Sequence, residues 1–227
     1  MVQGTPALAA LLLTQILPVL ATPPRKPRAA GAPVLGRRAL PPGRLDGLGA
    51  TPDFHHGLLA AQTAPQKIAV DSPTLKADQT MPRDYTPDGR NISPPLTWSN
   101  VPASTKELAV VCEDPDAGNP PPFVHWVIYG IPATAKGLPE AIPIDPAAAM
   151  PAEIAGAIQG VSGFRRPIYR GPAPPPGKPH HYHFVVYALD ANLNLKPGLT
   201  RADLLAALQG HVIGQGEIVA IYERKAP

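Results

Sequence analysis

Beyond Lys67 the chain alternates short apolar runs with clusters of Pro, Gly, Asn and Asp, the pattern of strands joined by turns. Lys106–Glu113 (Lys-Glu-Leu-Ala-Val-Val-Cys-Glu) is rich in Val and too short for a typical core helix. Phe123–Ile131 and Tyr182–Leu189 are dense in aromatic and β-branched residues and predict two more strands. Ile218–Tyr222 predicts a last, short one. One helix stands out: Thr200 can cap it, Asp203 sits at its third position, Leu204, Leu205 and Leu208 form its apolar face, and Gly210 stops it. Ala147–Ala157 is a weaker helical stretch, interrupted by Pro151. The predicted fold class is mainly β, largely antiparallel, with one or two accessory helices. A domain over residues 66–227 is long enough to bury roughly 70% of its unfolded surface without staples.

The beginning of the chain has a different texture. Ala7–Ala21 is almost wholly apolar, about 15 residues against the roughly 20 that a bilayer-spanning helix needs. Val19 and Ala21 suit the small-residue rule for signal peptidase, so residues 1–21 are read as a signal peptide. No Lys or Arg precedes the apolar run, which leaves a membrane-surface helix as the alternative. The expected location is exported, periplasmic or secreted, with no stable membrane span once the signal is cleaved. Residues 22–65 mix Pro, Arg, Gly and Ala without any sustained period, and are read as a disordered linker. Two neighbouring histidines inside it, His55 and His56, make poor metal ligands.

Charge separates the same two parts. Residues 1–65 carry six Lys or Arg and two Asp, a net of +4 (6 − 2), and 10 of the 33 prolines. Residues 66–227 carry 14 basic and 15 acidic residues, a net of −1 (14 − 15). The whole-chain +3 therefore belongs to the leading segment, and the domain has no cationic excess with which to hold nucleic acid. A single cysteine, Cys112, rules out an intrachain disulfide and a cysteine-based zinc site. The chain lacks a P-loop, a Gly-x-Ser-x-Gly elbow and a dinucleotide fingerprint. No catalytic residue and no cofactor is assigned.

Four short segments are polar where a β domain is usually bland. In Asp114-Pro115-Asp116 the two carboxylates can face one space, since residues two apart in extended chain point the same way. The same tripeptide is equally a turn in which Asp bonds its own backbone. His125 interrupts an apolar strand, where alternation places it with Phe123, Val127 and Tyr129 and away from Val124, Trp126 and Ile128. A buried, satisfied core histidine is the plainer reading there. In His180-His181-Tyr182-His183, His180 and Tyr182 share one face, His181 and His183 the other. A His-x-His on a strand binds metal only with a third ligand. Gly171-Pro172-Ala173-Pro174-Pro175-Pro176-Gly177 reads as a stiff surface turn.

In order and together, these segments resemble the phosphatidylethanolamine-binding protein family, in particular its bacterial Raf-kinase-inhibitor-like branch. The resemblance runs from about Ile68 to Lys225. It rests on Asn91-Ile92-Ser93-Pro94-Pro95-Leu96-Thr97-Trp98, Asp114-Pro115-Asp116-Ala117 and Val124-His125-Trp126-Val127. It continues through Tyr169-Arg170-Gly171-Pro172, Pro174-Pro175-Pro176-Gly177, His180-His181-Tyr182, Ala188-Leu189-Asp190 and Gly210-His211-Val212. The resemblance implies a β-sandwich with a small pocket for phosphate-bearing or phospholipid head groups. It implies ligand-binding roles for Asp114, Asp116, His125, Gly171, Pro174, His180 and Tyr182, and leaves His181 and His183 outside the site. Two imidazoles can donate to phosphate oxygens. An Asp pair beside them makes sense if the ligand also carries a cation, so a zwitterionic head group satisfies both halves.

The chain departs from the family pattern at Gly118 and in Asn119-Pro120-Pro121-Pro122, and adds Arg165, Arg166 and Arg170 near the proline loop, positive charge that favours anionic partners. The leading expectation is a non-enzymatic binding protein. One alternative is an inhibitor of a kinase or protease that acts through a protein partner. Another is a metal enzyme built on His125, His180 and Asp114 or Asp116. A homodimer stays open.

Overall fold

The computed structural model describes residues 64–117, 120–145 and 147–225. The signal-peptide reading, all but the end of the linker, His55, His56, Gly118 and Asn119 lie outside the described residues. Nine strands form two sheets: β1 (Gln66–Lys67), β2 (Ala69–Asp71), β3 (Leu96–Ser99), β4 (Glu107–Asp114), β5 (Phe123–Pro132), β6 (Gly137–Leu138), β7 (Ile158–Gln159), β8 (His180–Leu189) and β9 (Val212–Tyr222). The larger sheet runs β1-β9-β8-β4-β5-β7 and the smaller β2-β3-β6. Pairing within them is antiparallel except where β1 lies parallel to β9.

The two sheets face each other across the main core. Leu96, Trp98 and Leu138 of the small sheet meet Cys112, Trp126, Phe184 and Ile218 of the large one. The opposite face of the large sheet is covered as well: Ala109, Val111, Val127 and Tyr129 pack against Leu204 and Leu208 of the helix α1 (Arg201–Leu208). Covering on both faces explains why β4 reads as an unbroken apolar run, with every residue from Leu108 to Cys112 at 0% exposure. Cys112 is thus a core side chain, and burial pushes its thiol well above the usual range.

The helix forms where the sequence places it. Thr200 accepts from the backbone N–H of Asp203, and the Asp203 carboxylate accepts in turn from the backbone N–H of Thr200. Leu204 and Leu208 are buried, and Leu205 half-buried. Two expectations need correction. Ala147–Ala157 is not a helix: Pro151 starts a single 3-10 turn at Ala152–Ile154, and Gly156 leaves it at φ +90°. The last strand begins at Val212, not Ile218, and pairs with β8 along its length. Its first half reads as a turn because of Gly214 and Gly216. They are glycines for a packing reason, since a Cβ on Gly216 would lie 2.1 Å from the Ile68 carbonyl oxygen and one on Gly214 2.9 Å from Pro102.

Gly171 is the sharpest close approach outside the sheets. A Cβ there would fall 1.8 Å from the carbonyl oxygen of Tyr85. Gly171→Ala is therefore expected to cost about 3 kcal/mol or more, read as a lowered denaturant midpoint. Thr200→Ala, which removes one half of the cap, is expected to cost about 1 kcal/mol in the same measurement.

Candidate functional site

The site is assembled where β4, β5 and β8 end together. Asp114 is the last residue of β4 and stands opposite Phe123, the first of β5. His180 opens β8, with Tyr182 two residues on along the same face. Between Glu113↔Val124 and Cys112↔Trp126 the β5 side has one extra residue, a bulge that contains His125. The bulge changes the expected alternation. His125 and Trp126 both turn toward the inter-sheet side, while Val127 and Tyr129 face α1. His125 does not share a face with Val127 and Tyr129; it keeps Phe123 as its neighbour, with ring centroids 5.2 Å apart.

Asp114, Asp116, His125, Pro174, His180 and Tyr182 line one cavity of about 460 Å³, with Ala117, Phe123, Phe164, Ala173 and Pro175 completing its wall. Gly171 does not line it. Its role is the close approach to Tyr85 described above, supported by a hydrogen bond from its N–H to Asn91 Oδ1 (3.0 Å). Asn91 itself is held at φ +55°.

Asp114 is 1% exposed and both its oxygens are engaged. Oδ1 accepts from the backbone N–H groups of Asp116 (2.8 Å) and Ala117 (3.0 Å). Oδ2 accepts from His180 Nδ1 (2.8 Å). The turn reading of Asp-Pro-Asp is realised, since Asp114 bonds its own following backbone, and Asp114 also anchors a site histidine. Asp116 faces outward. Its Oδ2 accepts from both the backbone N–H and Nδ1 of His181, at 2.8 Å each. Those two bonds hold its carboxyl below the usual range.

His125 is 4% exposed. Its Nδ1 donates to the Arg170 carbonyl (2.7 Å), and the Arg170 N–H returns a bond to the His125 carbonyl (3.2 Å). Burial lowers the pKa of this imidazole, so it is neutral at pH 7 with its proton on Nδ1. His125 and His180 thus share one arrangement, with Nδ1 tied to the protein and Nε2 left as the free edge. Tyr182, 1% exposed, is pushed far above the ordinary phenol range by burial first and the Asp114 carboxylate second, and stays a hydroxyl. Among the described residues no group of three His, Cys, Asp or Glu side chains is arranged to hold a metal ion.

Sequence reasoning missed the apolar wall. Phe164 stands edge-on to both Phe123 (5.0 Å, 74°) and His125 (5.6 Å, 70°), and the Arg170 guanidinium lies 4.7 Å from its ring centre. Phe164 sits in a loop beside Arg165, with no periodicity to mark it. The only signal was its place between Gly163 and two arginines near the proline loop. Outside the cavity, His183 pairs with Glu217 (2.9 Å) and His211 with Asp190 (2.9 Å), both at the surface.

The fold has counterparts among known proteins. A profile of the phosphatidylethanolamine-binding protein family matches residues 71–223. A UPF0098 protein of Methanothermobacter thermautotrophicus is 44% identical over 144 residues, 63% of this chain and 91% of the relative. A UPF0098 protein of Pyrococcus horikoshii is 44% identical over 149 residues, 65% of this chain and 73% of the relative. Among solved structures, an Escherichia coli protein described as a new member of the mammalian phosphatidylethanolamine-binding protein family superposes with a TM-score of 0.64 at 34% identity, covering 70% of this chain and 99% of that one. A phosphatidylethanolamine-binding protein homologue of Chlamydia trachomatis superposes with a TM-score of 0.61 at 31% identity, over the same shares of the two chains. The chain described here belongs to the phosphatidylethanolamine-binding protein family.

Proposed function

We propose that this protein is a non-enzymatic binding protein whose cavity takes a phosphate-bearing ligand, free or as the head group of a phospholipid. The observation that carries the reading is the pairing of His125 and His180, each with Nδ1 donated into the protein and Nε2 free beside the cavity. In the neutral ring that free edge accepts a proton; in the protonated ring it donates to an anion. A phosphate oxygen therefore binds best when an imidazole is charged, and the Asp114 carboxylate fixes the orientation of His180 through Nδ1. The Tyr182 hydroxyl adds a neutral donor on the same face.

The sign of the pH dependence follows from His125. Its free-state pKa is lowered by burial, and an anion against Nε2 raises it, so binding takes up a proton between the two values. Affinity for a ligand of fixed charge is expected to rise as pH falls from 8 through about 6.5 and below. Titrations in buffers of different ionisation enthalpy are expected to show net proton uptake. Affinity that stays level over this range would exclude the imidazoles as the anion contacts.

Phosphoethanolamine is expected to bind saturably to the full chain, and His125→Ala/His180→Ala to weaken it at least about tenfold. Lack of binding to a folded wild-type protein counts against the whole reading. Asp114→Asn gives a finer test. Its amide turned toward His180 reverses that hydrogen bond and moves the ring proton to Nε2, so the variant is expected to show a flatter pH profile, not only weaker binding. The proposal extends to location. The apolar run Ala7–Ala21 supports export, and a mature protein beginning at Thr22 is the expected result of N-terminal sequencing. A mature protein that retains Met1 overturns that part.

A further inference from the structure

A phosphate site flanked by two aspartates suggests at first a zwitterionic ligand, its ammonium set against the carboxylates. The hydrogen bonds argue otherwise. Asp114 is buried and has both oxygens committed, to Asp116 N–H, Ala117 N–H and His180. Asp116 is bonded twice by His181 through the oxygen nearest that strand. Asp114 is thus fully engaged in holding the loop and β8 together, while Asp116, exposed and bonded through Oδ2 alone, already has the His181 imidazole against it.

Beside the cavity there is also a fixed charge of the opposite sign. Arg170 is exposed, and its guanidinium makes no ion pair with any described residue. Its position is nonetheless fixed. Its backbone exchanges two hydrogen bonds with His125, the carbonyl accepting at 2.7 Å and the N–H donating at 3.2 Å. Its side chain lies against Phe164, which itself lines the cavity and packs edge-on against His125. One aromatic ring separates the guanidinium from the cavity. A head group seated on the imidazoles and reaching out past Phe164 meets this cation first.

We infer that Arg170 makes this site selective for acidic ligands, those that carry a second anionic group beyond the phosphate, over zwitterionic ones such as phosphoethanolamine. The inference rests on the phosphate-cavity reading above and specifies its ligand class. Arg suits the task because it can stack on a ring with one face and offer its in-plane N–H groups to a carboxylate or phosphate. The chemistry is shared by free metabolites and by acidic lipid head groups.

The test is titration of the full chain with three matched probes. These are phosphoethanolamine (phosphate and ammonium), O-phosphoserine (phosphate, ammonium and carboxylate) and phosphoglycolate (phosphate and carboxylate). Phosphoglycolate and O-phosphoserine are expected to bind about fivefold tighter than phosphoethanolamine, as for an exposed ion pair, with the margin shrinking in salt. Arg170→Gln is expected to erase the margin by weakening phosphoglycolate and O-phosphoserine more than phosphoethanolamine, and Arg170→Lys to restore part of it. Unchanged thermal unfolding of Arg170→Gln separates loss of the contact from loss of the fold. Arg170-dependent sedimentation with phosphatidylserine vesicles, but not with phosphatidylcholine vesicles, supports the inference with a lipid source. The same dependence for the free probes alone supports it with a soluble one. Phosphoethanolamine binding as tightly as phosphoglycolate, or a margin that survives Arg170→Gln, overturns the inference and leaves the phosphate cavity standing. Failure of all three probes on folded wild-type protein overturns the cavity reading itself.

Discussion

The site depends on one buried carboxylate. Asp114 ends a largely buried strand and is itself 1% exposed, and burying an ionised group there is costly unless it is hydrogen-bonded. It has three partners: two N–H groups from the turn that follows and one imidazole from the adjacent strand. Those bonds join three pieces of chain that share no local sequence. The turn after β4 is fixed because Asp114 caps it. The start of β8 is fixed because His180 is drawn to the other oxygen. The orientation of His180, with its free edge toward the cavity, is decided in the same contact. The result is a charged group in the cavity lining with both oxygens already bonded to the protein.

His125 is held by a different device, built from backbone. A bulge in β5 places it on the same side as Trp126, and the exchange of two hydrogen bonds with Arg170 ties the strand to the loop that carries the proline wall. The loop in turn cannot move outward or inward freely, because Gly171 lies against the Tyr85 carbonyl and donates to Asn91. Bulge, loop and close approach form one chain of constraints, so the distance between the imidazole and the proline wall is set by covalent geometry and hydrogen bonds rather than by side-chain packing alone.

Much of this was legible in the sequence, and the exceptions share a cause. Strands β4, β5 and β8 were readable because a sheet covered on both faces needs long apolar stretches, and few other structures do. The helix was readable because its cap requires Thr200 and Asp203 three residues apart. Asp114, His125, His180 and Tyr182 stood out as polar residues in or beside such stretches, but it was the resemblance to the family, not the pattern, that implied their ligand-binding roles. The first half of β9 was hidden, since Gly214 and Gly216 answer to Pro102 and Ile68 across the fold and look locally like a turn. The facing of His125 was hidden for the same reason: a bulge is a property of the strand pair, not of either strand. Phe164 was hidden because a loop residue on a cavity wall has no period. Gly171 was marked as part of the site when it is part of the scaffold behind it.

The arrangement of charge carries the synthesis one step further. A binding site that must accept an anion in a largely apolar cavity faces a conflict, because a permanent cation buried there would destabilise the empty protein. Titratable imidazoles resolve it. Burial holds the His125 pKa down and favours the neutral ring in the empty cavity, and on the proposed reading the charge would form only with the anion beside it. The permanent cation, Arg170, is kept one ring away, where water still reaches it and no such cost arises. On the proposed reading, affinity and selectivity fall to different groups: the imidazoles would hold the phosphate that every ligand shares, and the exposed guanidinium would distinguish what is attached to it. On that reading Asp114 can be given over to structural work without leaving the site indifferent to the rest of the ligand.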